Sequence, residues 1–101
     1  RDVTFSALVA SNDDMAIGAI KQLHDKGLAV PSQVSVIGFD DIAMAPYTIP
    51  ALSSVKIPVT EMIQETIGRL IFMLDGGAFT PPKSFTGTLI RRDSVTSIAA
   101  Q

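Results

Sequence analysis

The 101-residue sequence has no cysteine and no tryptophan, and a single histidine and a single tyrosine. Without cysteine there are no disulfides and no thiolate metal sites, a usage compatible with a reducing compartment. With His24 standing alone, a zinc site or a Ser-His triad has little to build on. Long apolar runs are missing as well. The longest, Leu70 to Leu74, falls far short of the roughly 20 residues needed to cross a bilayer, and no charged-then-apolar segment resembles a signal peptide. Positive charge is scarce: eight Lys and Arg face ten Asp and Glu, a net charge of −2, too little to neutralise a nucleic-acid backbone. Lys56, Arg91 and Arg92 form a basic set too sparse for such a surface. No glycine-rich loop of the Walker type is present to cradle a nucleotide.

What is there is a globular composition, 47% hydrophobic and 18% charged, sufficient for a real core. The chain opens on Arg1 and runs straight into an apolar segment, so it is expected to be a piece of a longer protein. Phe5 to Ala10 is a short apolar run before Ser11-Asn12-Asp13-Asp14 and reads as a strand buried on both faces. From Met15 the apolar positions Met15, Ala16, Ala19, Ile20 and Leu23 recur at helical spacing, with Asp13 and Asp14 at the positive end and Lys26-Gly27 at the other, predicting a helix of about three turns. Val34 to Phe39 is β-branched and apolar and stops at Asp40-Asp41, a second buried strand.

Strand, helix and strand make a right-handed parallel βαβ unit, with Asn12-Asp13-Asp14 and Asp40-Asp41 on one sheet edge. Ligands of open α/β sheets bind at that edge. Ala45 to Pro50 is turn-like, and Leu52 to Ile57 resumes a strand alternation. Pro58 opens an amphipathic helix in which Val59, Met62, Ile63, Ile67, Leu70, Ile71 and Leu74 form one stripe, Glu65 and Arg69 pair opposite, and Gly76-Gly77 stops it. Gly68 within it predicts a close backbone approach. Ala78 to Lys83 is a surface connection, Ser84 to Arg91 alternates as one or two short strands, and Asp93 to Gln101 is a polar-then-small tail.

Two clusters could carry chemistry. In Ser11-Asn12-Asp13-Asp14, one residue is expected to cap the helix, leaving Asn12 to offer a donor and an acceptor to a polar ligand. Asp40 and Asp41 cannot both face the same way if strand geometry continues through them, so one should point into the crevice. Its carboxylate suits the adjacent hydroxyls of a sugar, and Gly38 lets the backbone come close. Both clusters also read as helix-capping and solvated turn residues. Grouped carboxylates could instead hold Mg²⁺ for phosphoryl transfer. His24 reads as an exposed helix-end residue. Met15, Met44, Met62 and Met73 with the aromatics are core or subunit-contact groups rather than a cofactor box, with Phe39 or Tyr47 as a stacking surface for a sugar ring.

The segments Ala10 to Ala19, Val34 to Ile42 and Pro50 to Lys56 resemble, in order and spacing, three motifs of LacI/GalR transcriptional repressors. Ile57 to Met62, the helix after it and Leu89 to Ser94 extend the likeness to nearly the whole chain. It runs nearest to the repressor of a cryptic β-glucoside operon (arbutin, salicin, cellobiose). The resemblance implies an α/β fold, part of a two-lobed architecture like that of periplasmic binding proteins, with parallel sheets flanked by helices. Residues 1–56 would lie mostly in the second lobe, residues 57–83 would be a helix and connection of the first lobe, and residues 84–101 the return strands and tail. The DNA-binding headpiece would precede this region.

It further implies a cytoplasmic, non-enzymatic, homodimeric repressor without cofactor, metal or membrane association. Such a protein binds a sugar or glycoside effector and reaches operator DNA only through the headpiece. The runner-up is a periplasmic receptor for sugar transport. By the resemblance Asn12 and Asp40 contact the effector, joined by Phe39 and Tyr47, while Met15, Ile17 and Tyr47 belong to the dimer surface. Several relatives carry Gln where this chain has Ile57, so the resemblance does not extend to a third sugar contact there.

Overall fold

A computed structural model describes residues 4–98. Two compact units are present: one takes the described residues through Lys56 and again from Thr88, the other is Ile57–Gly87.

In the first unit, β1 (Ala7–Val9), α1 (Asp13–Asp25) and β2 (Ser35–Ile37) form the expected βαβ unit. The two strands are parallel, with Ala7 opposite Ser35 and Val9 opposite Ile37. Alternation places Val36 inward, and it is fully buried with Ala16, Ala45 and Leu52, while Ile20, Leu23 and Val34 complete the core. The α1 stripe thus meets the sheet through Ala16, Ile20 and Leu23, three residues recurring at helical spacing. Its exposed C-terminal turn carries the Lys21–Asp25 ion pair at 2.7 Å, and the Lys21 hydrogen bond holds the Asp25 carboxyl below its usual range. His24 sits exposed in that last turn.

A short 3-10 turn, Ala45–Tyr47, precedes β3 (Ser54–Lys56), which pairs antiparallel with β4 (Thr88–Ile90). A parallel bridge between Ile37 and Ser53 sets the start of this ribbon against β2.

Several expectations change. β1 is not buried on both faces: Leu8 packs on the core, but Val9 is 79% exposed, because among the described residues β2 alone pairs with this strand. Ser84 to Arg91 yields strand only at Thr88–Ile90, so Arg91 and Arg92 lie beyond the strand and do not alternate across it. The supposed tail is partly structural. Ser94 is fully buried, its Oγ donating to Val36 O at 2.5 Å and accepting from Ser53 N–H at 2.9 Å. Val36 N–H in turn donates to Ser94 O at 2.8 Å. The end of that segment, beyond Ile98, lies outside the described residues.

The second unit is dominated by α2 (Val59–Leu74), which contains no buried residue. Its apolar stripe is open, with Ile63, Ile67, Leu70 and Ile71 each about half exposed, and Glu65 and Arg69 pair at 3.7 Å. Gly68 has nothing within 4 Å of where a Cβ would stand, so the close approach expected there is absent among the described residues.

Candidate functional site

The carboxyl ends of β1 and β2 are held in register past their last paired residues. Ala10 N–H donates to Ile37 O at 2.9 Å and Asp13 N–H to Phe39 O at 3.1 Å. Asn12 and Asp40 each stand three positions beyond the pair Val9 and Ile37, and the structure brings them to one sheet edge.

Asn12 is itself the cap of α1: its backbone is extended and its Oδ1 accepts from Met15 N–H at 2.9 Å. The expectation that a neighbour caps is therefore corrected, and the acceptor half of the Asn12 amide is committed locally. The donor half, Nδ2, has no partner among the described residues. Asp13, expected in the first turn as an acid that suits the helix dipole, is fully buried. Ser54 Oγ donates to its Oδ1 at 2.7 Å and Ile42 N–H to its Oδ2 at 2.8 Å. Burial of a carboxylate is tolerable when both oxygens are occupied in this way. Gly38 is required here, since a Cβ would run into Asp13 Oδ1 and lie 3.1 Å from Asp13 Cα.

Strand geometry does not continue through Asp40 and Asp41. Their φ values are +110° and +54°, the two positive values among the described non-glycine residues. That backbone disfavours L side chains, costing on the order of 1–3 kcal/mol per residue. Three successive amides hold it. Asp40 N–H donates to Val55 O and Asp41 N–H to Ser54 Oγ, both at 2.9 Å, and Ile42 N–H reaches Asp13 as above. The two aspartates do face apart, through this turn rather than through strand alternation. Asp41 turns inward, 2.7 Å from Arg92 Nη2. Asp40 is exposed, and its carboxylate takes no hydrogen bond or ion pair among the described residues.

Arg92 is likewise no surface base. It donates from Nη1 to Leu52 O and from its backbone N–H to Ser53 Oγ, each at 2.7 Å. Sequence reasoning missed Asp13, Ser54 and Arg92. The signal available was the run Ser53-Ser54 inside an otherwise apolar strand, since buried hydroxyls imply polar partners.

Phe39 is 37% exposed beside Asp40. Tyr47, 78% exposed, stands on the 3-10 turn, next to Thr48, Ile49 and Pro50. These three residues line an apolar groove of about 620 Å³ with Ile17, Ile20 and His24 of α1. Met15 is 59% exposed on the same helix. Ile17 thus borders the groove, while Met15, two positions earlier on the helix, lies on the other flank of buried Ala16. Asn12, Phe39 and Asp40 occupy the strand-end edge. Among the described residues no three His, Asp or Glu side chains cluster as a metal-binding set, and no helix is long and apolar enough to cross a membrane.

A parallel βαβ unit with polar residues at its strand ends is the arrangement at which open α/β sheets bind ligands. Residues 2–95 match the model of the periplasmic binding protein-like domain. The HTH-type transcriptional regulator AscG of Escherichia coli (strain K12) is 81% identical over 95 residues, an alignment covering 94% of this chain and 28% of that protein. Two crystal structures are similar. A sugar-binding transcriptional regulator of the LacI family from Escherichia coli, complexed with phosphate, is 83% identical with a TM-score of 0.81, covering 91% of this chain and 33% of that one. The lac repressor dimer bound to operator and the anti-inducer ONPF is 27% identical with a TM-score of 0.86, covering 94% of this chain and 33% of that one.

This chain belongs to the LacI/GalR family of transcriptional regulators. It spans between a quarter and a third of the length of these relatives, which are named as transcriptional regulators or repressors.

Proposed function

We propose that this chain is the effector-sensing and dimer-forming part of a sugar-responsive transcription repressor, with Asp40 and Asn12 as polar contacts to a sugar or glycoside. The observation that carries the reading is the Asp40 turn: a costly positive-φ backbone, held through three successive amides, whose exposed Asp40 carboxylate has no partner among the described residues and shares the strand-end edge with Asn12. A carboxylate accepts two hydrogen bonds in a fork, matching adjacent sugar hydroxyls, while Asn12 Nδ2 donates. Phe39 supplies an aromatic surface next to them. Tyr47, exposed on the 3-10 turn, is a second aromatic contact in this reading. The sequence resemblance to the repressor of a β-glucoside operon makes a β-glucoside the first effector to test.

Residues through Lys56 and from Thr88 belong to the second lobe, and α2 to the first. Effector bound between the lobes shifts the population between operator-competent and released forms. Met15, Ile17 and Tyr47 meet a second copy of the chain, and operator DNA is reached through a helix-turn-helix headpiece in the cytoplasm. A transport receptor is disfavoured because the matched proteins are named as transcriptional regulators.

A thermal-shift screen of the full-length protein across sugars and glycosides tests the reading. An effector at 100 times its dissociation constant adds about 2.7 kcal/mol of stability. A hydrogen bond to a charged group contributes about 1.5–3 kcal/mol, so Asp40→Ala should weaken the best binder roughly 10- to 150-fold in calorimetric titration. Wild-type affinity in a folded Asp40→Ala protein would sink the assignment.

A further inference from the structure

We infer that Arg92 is a positioning residue for effector binding, acting on Asp40 through Asp41. The inference rests on the reading of Asp40 as the effector contact and adds a device that keeps it presented.

Hydrogen bonds hold the backbone amides of residues 40–42, but they leave the side chain of Asp41 to be accounted for. It is nearly buried, at 13% side-chain exposure, and its partner Arg92 is at 17%. Arg92 Nη2 stands 2.7 Å from Asp41 Oδ1, so the guanidinium charge compensates that buried oxygen. An uncompensated carboxylate would leave such a site for water. Asp41 could do so by rotating the adjacent peptide, and the turn that aims Asp40 outward would open with it. Arg92 prevents this because it is itself anchored twice, by Nη1 on Leu52 O and by its backbone N–H on Ser53 Oγ. The planar guanidinium fork can serve Leu52 O and Asp41 together, which an ammonium could not do with the same geometry. Arg92 lies just past β4 (Thr88–Ile90), so the return segment of the chain secures the ligand edge formed by its first half.

The test is a mutant cycle in the full-length protein, read by calorimetric titration with the aryl β-glucoside salicin well below the melting temperature. Four proteins are compared: wild type, Asp40→Ala, Arg92→Met and the double variant. Arg92→Met should weaken salicin about tenfold in the wild-type background and leave it within about twofold in the Asp40→Ala background, since the contact through which it acts is gone. A general structural lesion would weaken both backgrounds alike. Equal loss in both, or loss in neither, overturns the inference while the reading of Asp40 stands. Wild-type affinity in Asp40→Ala overturns both. Should Arg92→Met fail to fold, Asp41→Asn replaces it in the same cycle with the same criteria, because asparagine tolerates left-handed backbone while removing the charge that Arg92 compensates.

Discussion

Replacing Asp13 tests whether a buried carboxylate, rather than strand pairing, ties α1 to the ligand edge. The residue is fully buried and accepts from Ser54 Oγ at 2.7 Å and Ile42 N–H at 2.8 Å. Asp13→Ala leaves both donors without an acceptor and opens a void. Each stranded donor costs about 1–3 kcal/mol, so the loss of stability should be about 3–5 kcal/mol. Asp13→Asn is the discriminating control. Its Oδ1 can still accept from Ile42 N–H, and its Nδ2 can donate to Ser54 Oγ. That oxygen has two lone pairs, one of them already taken by Asp41 N–H. The hydroxyl proton of Ser54 then loses its acceptor, for a cost of about 1–2 kcal/mol. Urea unfolding of the full-length protein, followed by circular dichroism with matched m-values, should therefore rank wild type above Asn and Asn above Ala. An alanine variant within about 1 kcal/mol of wild type, or an asparagine variant as unstable as alanine, would refute this account of the network.

Gly38→Ala drives a Cβ into Asp13 Oδ1, an atom pinned by Ser54, with Asp13 Cα only 3.1 Å away. It should lower stability by about 1–3 kcal/mol in the same unfolding assay, and the paired variant Gly38→Ala/Asp13→Ala should lose less than the sum of the two. Strict additivity would mean that the two sites do not touch. The isolated 101-residue polypeptide should self-associate in analytical ultracentrifugation through the α2 stripe, where Ile63, Ile67, Leu70 and Ile71 are about half exposed. Ile67→Glu should reduce that association, and a monodisperse monomer without the substitution would count against it.

Sequence alone determined the local elements and their order. Hydrophobic spacing and end signals are short-range properties, so β1, α1, β2, the turn before β3 and α2 were all readable, as were Asn12 and Asp40 as strand-end residues. The βαβ rule by itself puts those ends on one edge. Tertiary structure decided everything that depends on which distant side chains meet. Asp13 looks like an ordinary first-turn acid until Ser54, 41 positions away, donates to it. Arg92 looks like a surface base until Asp41 and Leu52 are found against it, and Ser94 looks like tail until it closes on Val36 and Ser53. None of these partners is signalled by periodicity, because a polar residue is buried or exposed according to whether the fold supplies its hydrogen bonds, and that supply comes from chain segments remote in sequence.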